Sequence, residues 1–342
     1  MSNLNLNQFD FSLPDELIAQ FPVKKRDSSK LLHFNSSNNS ISDHSFHEIC
    51  SLLPDNSVLV FNNTKVIKAR VITKRISGAI IECFFLEKLQ NNQWKILLKK
   101  SKRIQINEEL IVKDNHKIKI LAKFEKEAIV KILSPLDDYE FLDSFGQTPL
   151  PPYIKPEEST NHEDRYQSIF ASEPGAVAAP TASLHFTENI FTQLRHKQIE
   201  IIYITLHIGL GTFNPISSED ITEHKMHKET YKISKTSAEN LNKAKQSGRP
   251  IFAIGTTAAR CLESNIKNGV FSAEENSTDL FIYPGYEFQA INGIVTNFHL
   301  PKSSLLILIS SLIGLKNTIT AYNHAIQNKY RFFSYGDAML IT

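Results

Sequence analysis

The apolar residues of this chain gather in short continuous runs separated by polar punctuation. Val58-Leu59-Val60-Phe61 is one run; Glu200–Leu206, Pro250–Ile254, Asp279–Pro284 and Gly293–Thr296 are others. Runs this short, without alternation, predict strands buried on both faces. Helical spacing fills the intervals. Asp10–Gln20 has Pro14 at a first helical position, with Asp15 and Glu16 in the first turn, where they suit the positive end of a helix. Thr187 reads as the N-cap of a helix to Lys197, with Ile190, Phe191 and Leu194 on one face. Ser234–Gly248 turns Ala238, Leu241 and Ala244 inward and stops at its glycine. Further helices are predicted from Gly255-Thr256-Thr257 to near Gly269, from Pro301 to Gly314, and from Thr318 to Lys329.

Between Val66 and Leu133 the pattern changes. β-branched and aromatic residues dominate, with breaks at Ser77-Gly78, Asn91-Asn92, Ile106-Asn107 and Asp114-Asn115. About six short strands with this spacing predict a small antiparallel barrel or sandwich. Leu150-Pro151-Pro152-Tyr153-Ile154 reads as its exit, because proline is confined to the margins of sheets. The expected fold class is a mixed α/β body, residues 1–65 plus 150–342, interrupted by an all-β, barrel-like domain over residues 66–149.

The stretch with the most chemistry is Glu173–Thr187, EPGAVAAPTASLHFT. It is too irregular for a helix or strand and too apolar for a solvated loop. Small residues such as Gly175 let backbone approach a ligand or another backbone closely. Pro180, Thr181 and His185 are thereby delivered towards the mouth of the following helix. Other polar groups follow predicted strands, where open α/β sheets bind ligands. They are Asn62-Asn63-Thr64-Lys65, His207 with Gly211 and Thr212, Thr256 with Thr257, and Asn297 with His299. Gly209-Leu210-Gly211 fails the dinucleotide pattern, because Pro215 stands where a helix should begin. Gly255-Thr256-Thr257 fits an anion cradle at a helix start, or simply an N-cap. His224 and His227 have poor metal spacing, and no metal is expected.

Composition narrows the class. Of 342 residues, 41% are hydrophobic and 22% charged, ordinary values for a globular protein. Cys50, Cys83 and Cys261 are odd in number and lack CxxC spacing, which argues against a disulfide framework and for a reducing cytoplasm. Met1–Asp10 lacks the pattern of a signal peptide. The apolar segment Ser304–Gly314 is too short to span a bilayer, so no membrane partner is expected. A formal net charge of +2 leaves nucleic-acid contact to a local patch. The densest is Lys99, Lys100, Lys102 and Arg103. Read alone it is a solvated barrel edge, protected from strand pairing by its lysines.

Several blocks together resemble one family, the S-adenosylmethionine:tRNA ribosyltransferase-isomerases of queuosine synthesis. They include Phe9–Leu32, Val60–Arg70, Pro149–Ile154, Tyr166–Thr187, Leu206–Pro215 and Met226–Glu229. Ala253–Ser264, Asp279–Phe288, Thr296–Leu306 and Tyr330–Ile341 complete the series, in family order from end to end. Two departures stand out. The family usually has Asn-Asp-Thr-Arg where this chain has Asn62-Asn63-Thr64-Lys65, and Gly where it has Ser183.

The resemblance implies transfer and isomerisation of the ribosyl part of S-adenosylmethionine onto 7-aminomethyl-7-deazaguanine (preQ1) in a tRNA anticodon. Epoxyqueuosine-tRNA, adenine and methionine would be the products. S-adenosylmethionine is then a consumed substrate, and no resident cofactor is implied; a monomer is expected. The sulfonium acidifies the neighbouring C5′–H, so a general base is needed, for which His185, His207 and His299 are candidates with His185 ranked first. Asn297, Thr212 or Asp337 would assist adenine departure. Gly255-Thr256-Thr257 would hold the methionine carboxylate, and Tyr283, Phe332 or Tyr335 would stack on a base. The basic cluster at Lys99–Arg103 and the Lys24–Arg26 turn become candidate phosphate contacts. Two other readings predict different products. A conventional methyltransferase would yield S-adenosylhomocysteine, and a non-catalytic RNA-binding module would bind tRNA without turnover.

Overall fold

The computed structural model describes residues 4–99, 101–151, 153–154, 162–209, 216 and 218–342. A nine-stranded mixed sheet forms the body. Its centre is four mutually parallel strands in the order Glu200–Leu206, Val58–Asn62, Ile251–Ile254 and Gly293–Asn297. Ala338–Ile341 joins Gly293–Asn297 antiparallel and carries Lys30–Asn35, then the edge strand Ser40–Ser45. On the other side Glu229–Ile233 and Glu274–Thr278 complete the sheet.

The central strand shows why apolar runs, not alternation, marked this sheet. All five residues of Val58–Asn62 are buried. Successive side chains point to opposite faces. Val58 and Val60 pack with Leu241, Leu262, Leu308 and Tyr322 from the helices on one side. Leu59 and Phe61 pack with Phe186, Ile190, Leu194 and Ile49 on the other. Helices therefore cover both faces.

The insert is a closed barrel of six antiparallel strands: Arg70–Lys74, Ile80–Lys88, Gln93–Lys99, Glu109–Lys113, His116–Phe124 and Glu127–Leu133. It closes where Lys74 pairs with Ile111. Asp137 caps the helix Asp138–Phe145 through a reciprocal capping box with Glu140. That helix turns Phe141 and Leu142 into the barrel core, which Val177 from the central stretch also enters. The three cysteines are buried and free.

Four expected elements differ. Asp10–Gln20 contains only the 3-10 turn Asp15–Leu17, because the neighbouring backbone bonds the C-terminal segment instead. The Ala19 N–H donates to the Phe332 carbonyl, and the Phe332 N–H donates to that of Leu17. Asp279–Pro284 is not a strand; the paired edge is Glu274–Thr278. Thr278 Oγ1 accepts from the Leu280 N–H, and the Leu280 carbonyl accepts from Arg260, so side chains take the bonds a ladder would use. The apolar helix is Ser304–Ile313 with Ser303, not Pro301, at its start. Gly314, at φ +82°, bends the chain directly into Leu315–Gln327, three residues before the expected Thr318. No single helix among the described residues is long and apolar enough to cross a membrane; this helix pair passes only together and is bent by 115°.

Candidate active site

The four parallel strands all present their carboxyl ends on the same side, the usual ligand face of such sheets. Gly255 follows Ile254 at φ +93°, a left-handed conformation costly to any residue with a Cβ. It turns the chain into the helix Thr256–Asn265, whose first-turn N–H groups have no intrahelical acceptors. After Gly293–Asn297 comes Phe298-His299-Leu300-Pro301. The turn Thr181–His185 lies across these ends. Together they enclose a cavity of about 350 Å³. Pro180, Thr181, Gly255, Thr256, Thr257, Asn297 and His299 all line it, joined by Tyr153, Phe333 and Ser334. None of the described residues lining it is acidic, and the ammonium of Lys302 on its rim is paired with Asp10 at 2.8 Å.

His299 faces this cavity with Nε2 2.9 Å from Thr296 Oγ1. Thr296 Oγ1 also lies 3.3 Å from the Asn297 carbonyl. When the hydroxyl donates there, it accepts from His299 Nε2–H, and the ring lone pair sits on Nδ1. Burial pushes the His299 pKa down to about 3. The imidazole is neutral throughout the physiological range, available as an acceptor but limited in strength as a base.

His185 lies one residue behind the wall. Its Nδ1 is 2.8 Å from Ser29 Oγ, and its Nε2 is 3.3 Å from Asn297 Nδ2. The ring stacks on Phe46 at 4.8 Å. Burial, reinforced by the Arg331 charge, brings its pKa down to about 3. Both ring nitrogens are engaged with protein groups, and the ring is not among the cavity's lining residues. Asn297 Nδ2 also donates to the Phe333 carbonyl at 3.1 Å, while its Oδ1 is buried without a partner. An unpaired buried carbonyl oxygen on a cavity wall is an acceptor awaiting a donor.

Other expected residues fall elsewhere. His207 and Gly175 lie together, outside the cavity lining: a Cβ on Gly175 would come within 2.7 Å of the His207 ring. His207 Nδ1 is 2.8 Å from Thr64 Oγ1, and burial lowers its pKa. Phe332 is fully buried against Phe298 and Tyr322 and has no open face for a base. Its neighbour Phe333 lines the cavity instead, in a left-handed conformation at φ +74° that sequence could not foretell. The Phe333 ring lies 4.2 Å from that of Tyr153. Asp337 is buried outside the cavity lining, and its carboxylate accepts from the N–H groups of Lys30 and Arg331. Tyr283 is half-buried against Phe281, away from the lining. Tyr335 lines a small hollow adjoining the cavity. Gly211, Thr212 and Lys100 lie outside the described residues.

Lys99 is largely exposed at the end of its barrel strand, 3.8 Å from Glu82, and Lys102 and Arg103 are exposed on the next turn. Arg26 is not a solvated charge. Its guanidinium donates to the carbonyls of Leu184 and Asp164. Of the departures, Asn63 accepts from Thr205 Oγ1 and donates to Ser172 Oγ, a donation no carboxylate could make. Lys65 is exposed, and Ser183 is fully buried with its hydroxyl unpaired.

One feature escaped sequence reasoning. Arg260 and Glu229 form an ion pair at 2.5 Å with both side chains buried. Glu229 Oε1 accepts from the Gly209 N–H at 3.3 Å, so the pair steadies the loop leaving His207 and Ile208. Two charged residues 31 positions apart carry no local signal of pairing.

The profile of a family described as "Queuosine biosynthesis protein" matches residues 6–341. A protein from a Sulfurihydrogenibium species named "S-adenosylmethionine:tRNA ribosyltransferase-isomerase" is 44% identical, over 99% of this chain and 100% of its own. Proteins of the same name from Carboxydothermus hydrogenoformans and Treponema denticola are 44% and 42% identical, over 99% and 98% of this chain and 100% and 99% of theirs. The crystal structure of an S-adenosylmethionine tRNA ribosyltransferase from Thermotoga maritima superposes with a TM-score of 0.57 at 32% identity, covering 98% of this chain and 100% of that one. With end-to-end matches in sequence and the same α/β-plus-barrel architecture, this chain belongs to the queuosine biosynthesis protein family.

Proposed function

We propose that this protein transfers and isomerises the ribosyl moiety of S-adenosylmethionine onto preQ1 in a tRNA anticodon, yielding epoxyqueuosine-tRNA, adenine and methionine. The observation that carries the reading is the cavity at the strand ends, where a helix start, an unpaired amide oxygen and a neutral histidine converge. The first-turn N–H groups at Thr256 and Thr257 suit the methionine carboxylate. His299 is the base we assign to the C5′ proton, since it is the histidine on the cavity wall. Asn297 Oδ1 is placed to accept from an N–H of adenine or of the aminomethyl group. Tyr153 and Phe333 offer aromatic faces for a base. S-adenosylmethionine is consumed, and no resident cofactor is invoked. The exposed Lys99, Lys102 and Arg103 are assigned to tRNA phosphates at longer range.

Incubation with preQ1-tRNA and S-adenosylmethionine tests the reaction. Free adenine and methionine are expected. S-adenosylhomocysteine with methylated tRNA would make the protein a methyltransferase, and binding without turnover would make it an RNA-binding module.

A further inference from the structure

Beside the main cavity, and sharing Ser334 with it, lies a hollow of about 20 Å³. Arg26, Arg165, His185 and Tyr335 are among its walls, and none of the described residues lining it is acidic. The guanidiniums there are held by main-chain carbonyls. Arg26 donates to Leu184 and Asp164 at 3.2 and 2.8 Å, and Arg165 donates to Lys24 and Val23 at 3.3 and 2.7 Å. Arg331 adds a third cation nearby, donating to the Phe21 carbonyl at 3.1 Å. Asp337 stands 3.6 Å from Arg331 and offsets part of that charge. The Nε of Arg165 and one terminal nitrogen of Arg331 are buried without hydrogen-bond partners. Carbonyl dipoles orient a guanidinium but do not neutralise it, and among the described lining residues no carboxylate does so. Burial and then repulsion from Arg165 lower the Arg26 pKa, and the nearby Asp164 carboxylate offsets part of that shift.

We infer that this hollow is an oxyanion subsite that receives a non-bridging phosphate oxygen of the tRNA backbone next to the nucleotide being modified. The inference rests on tRNA being the substrate, as proposed above. The hollow has room for about one water-sized atom, which suits a single oxygen projecting from a phosphodiester. Planar guanidiniums with spare N–H groups are the usual means of seating such an oxygen. The methionine carboxylate shares the same chemistry, but the N–H groups at Thr256 already face the cavity that would hold the rest of that molecule. A phosphate seated here would set the register of the strand, placing the neighbouring base at the Ser334 wall.

The test measures tRNA affinity against salt concentration, with the KM for S-adenosylmethionine, in wild type, Arg165→Gln, Arg165→Lys and Val23→Asp. Val23 lines the hollow, so its aspartate would occupy the guanidiniums without removing their carbonyl anchors. Expected are weakening of tRNA binding by about tenfold in Arg165→Gln and Val23→Asp, and a fall of about 0.7–0.9 in the salt slope, one phosphate's worth. Arg165→Lys should keep the slope. Unchanged slopes in both charge-removing variants would overturn the subsite. A raised KM for S-adenosylmethionine with unaltered tRNA binding would overturn it too, reassigning the hollow to the carboxylate. Should Arg165→Gln not fold, Val23→Asp alone decides. Failure of the proposed reaction is separable, because it appears in the wild type as absence of adenine release.

Discussion

Asn297 Nδ2 donates to His185 Nε2 at 3.3 Å and, with its other hydrogen, to the Phe333 carbonyl at 3.1 Å. This fixes the amide with its nitrogen towards the protein, so the unpaired Oδ1 is the atom left for a ligand. In the proposed mechanism His185 is therefore a positioning residue that acts through Asn297. His185→Asn should lower kcat less than His299→Gln does, because it removes a positioning contact rather than the base. A loss as large as that of His299→Gln would return the general base to His185.

His299 is expected to matter more directly. His299→Gln should lower kcat by about 10²–10⁴, the usual range for losing a general base, with a KM for S-adenosylmethionine near that of wild type. Single-turnover measurement of adenine release checks it. Near-normal turnover would move the base elsewhere.

The two buried histidines also set an acid limit on stability. Each has a folded pKa of about 3, below the ordinary 6.5. Below the ordinary value the unfolded chain binds protons that the folded chain refuses. The stabilisation is therefore complete above 6.5 and is lost as pH falls from there towards 3. The slope is about 1.4 kcal/mol per pH unit for each histidine. Denaturant titrations across this window should be shallower in His185→Phe than in wild type.

Gly175 should resist substitution. Its φ of +153° and the His207 ring, 2.7 Å from where a Cβ would stand, leave alanine no room without displacing that ring. A loss of about 1–3 kcal/mol is expected for Gly175→Ala, read as a lowered Tm. A Tm equal to wild type would mean that the ring moves freely.

The Glu229–Arg260 pair should behave as a buried ion pair. Removing one partner strands the other charge, and Glu229→Ala is expected to cost about 3–5 kcal/mol. Denaturant unfolding measures it, and a loss under about 1 kcal/mol would show that water reaches Arg260.

Much of the architecture was legible because it depends on local sequence. The runs at Val58, Glu200, Ile251 and Gly293 are apolar throughout, since both faces of a central strand are covered. The six barrel strands alternate between punctuated turns. Thr187 and Ser234 cap their helices through bonds three residues long. Errors arose where distant chain segments competed. Asp10–Gln20 has the composition of a helix, but its backbone is taken by Phe332, more than 300 residues away. Ala338–Ile341 looks like an aromatic tail's end and becomes a sheet strand only because Gly293–Asn297 and Lys30–Asn35 lie on either side of it.

The candidate site divides along the same line. From the residues alone came the loops that hold it: Pro180-Thr181, Gly255-Thr256-Thr257 and Asn297 with His299 are all on one cavity. Glycine conformation, capping and strand ends are properties of a few consecutive residues. Only the tertiary structure ranked the histidines, because burial and partner geometry come from residues remote in sequence. Ser29, Asn297 and Phe46 enclose His185, whereas His299 meets the cavity. It also gathered Arg26 and Arg165 from two separate segments onto one hollow, with Arg331 nearby, a charge arrangement with no trace in a net charge of +2.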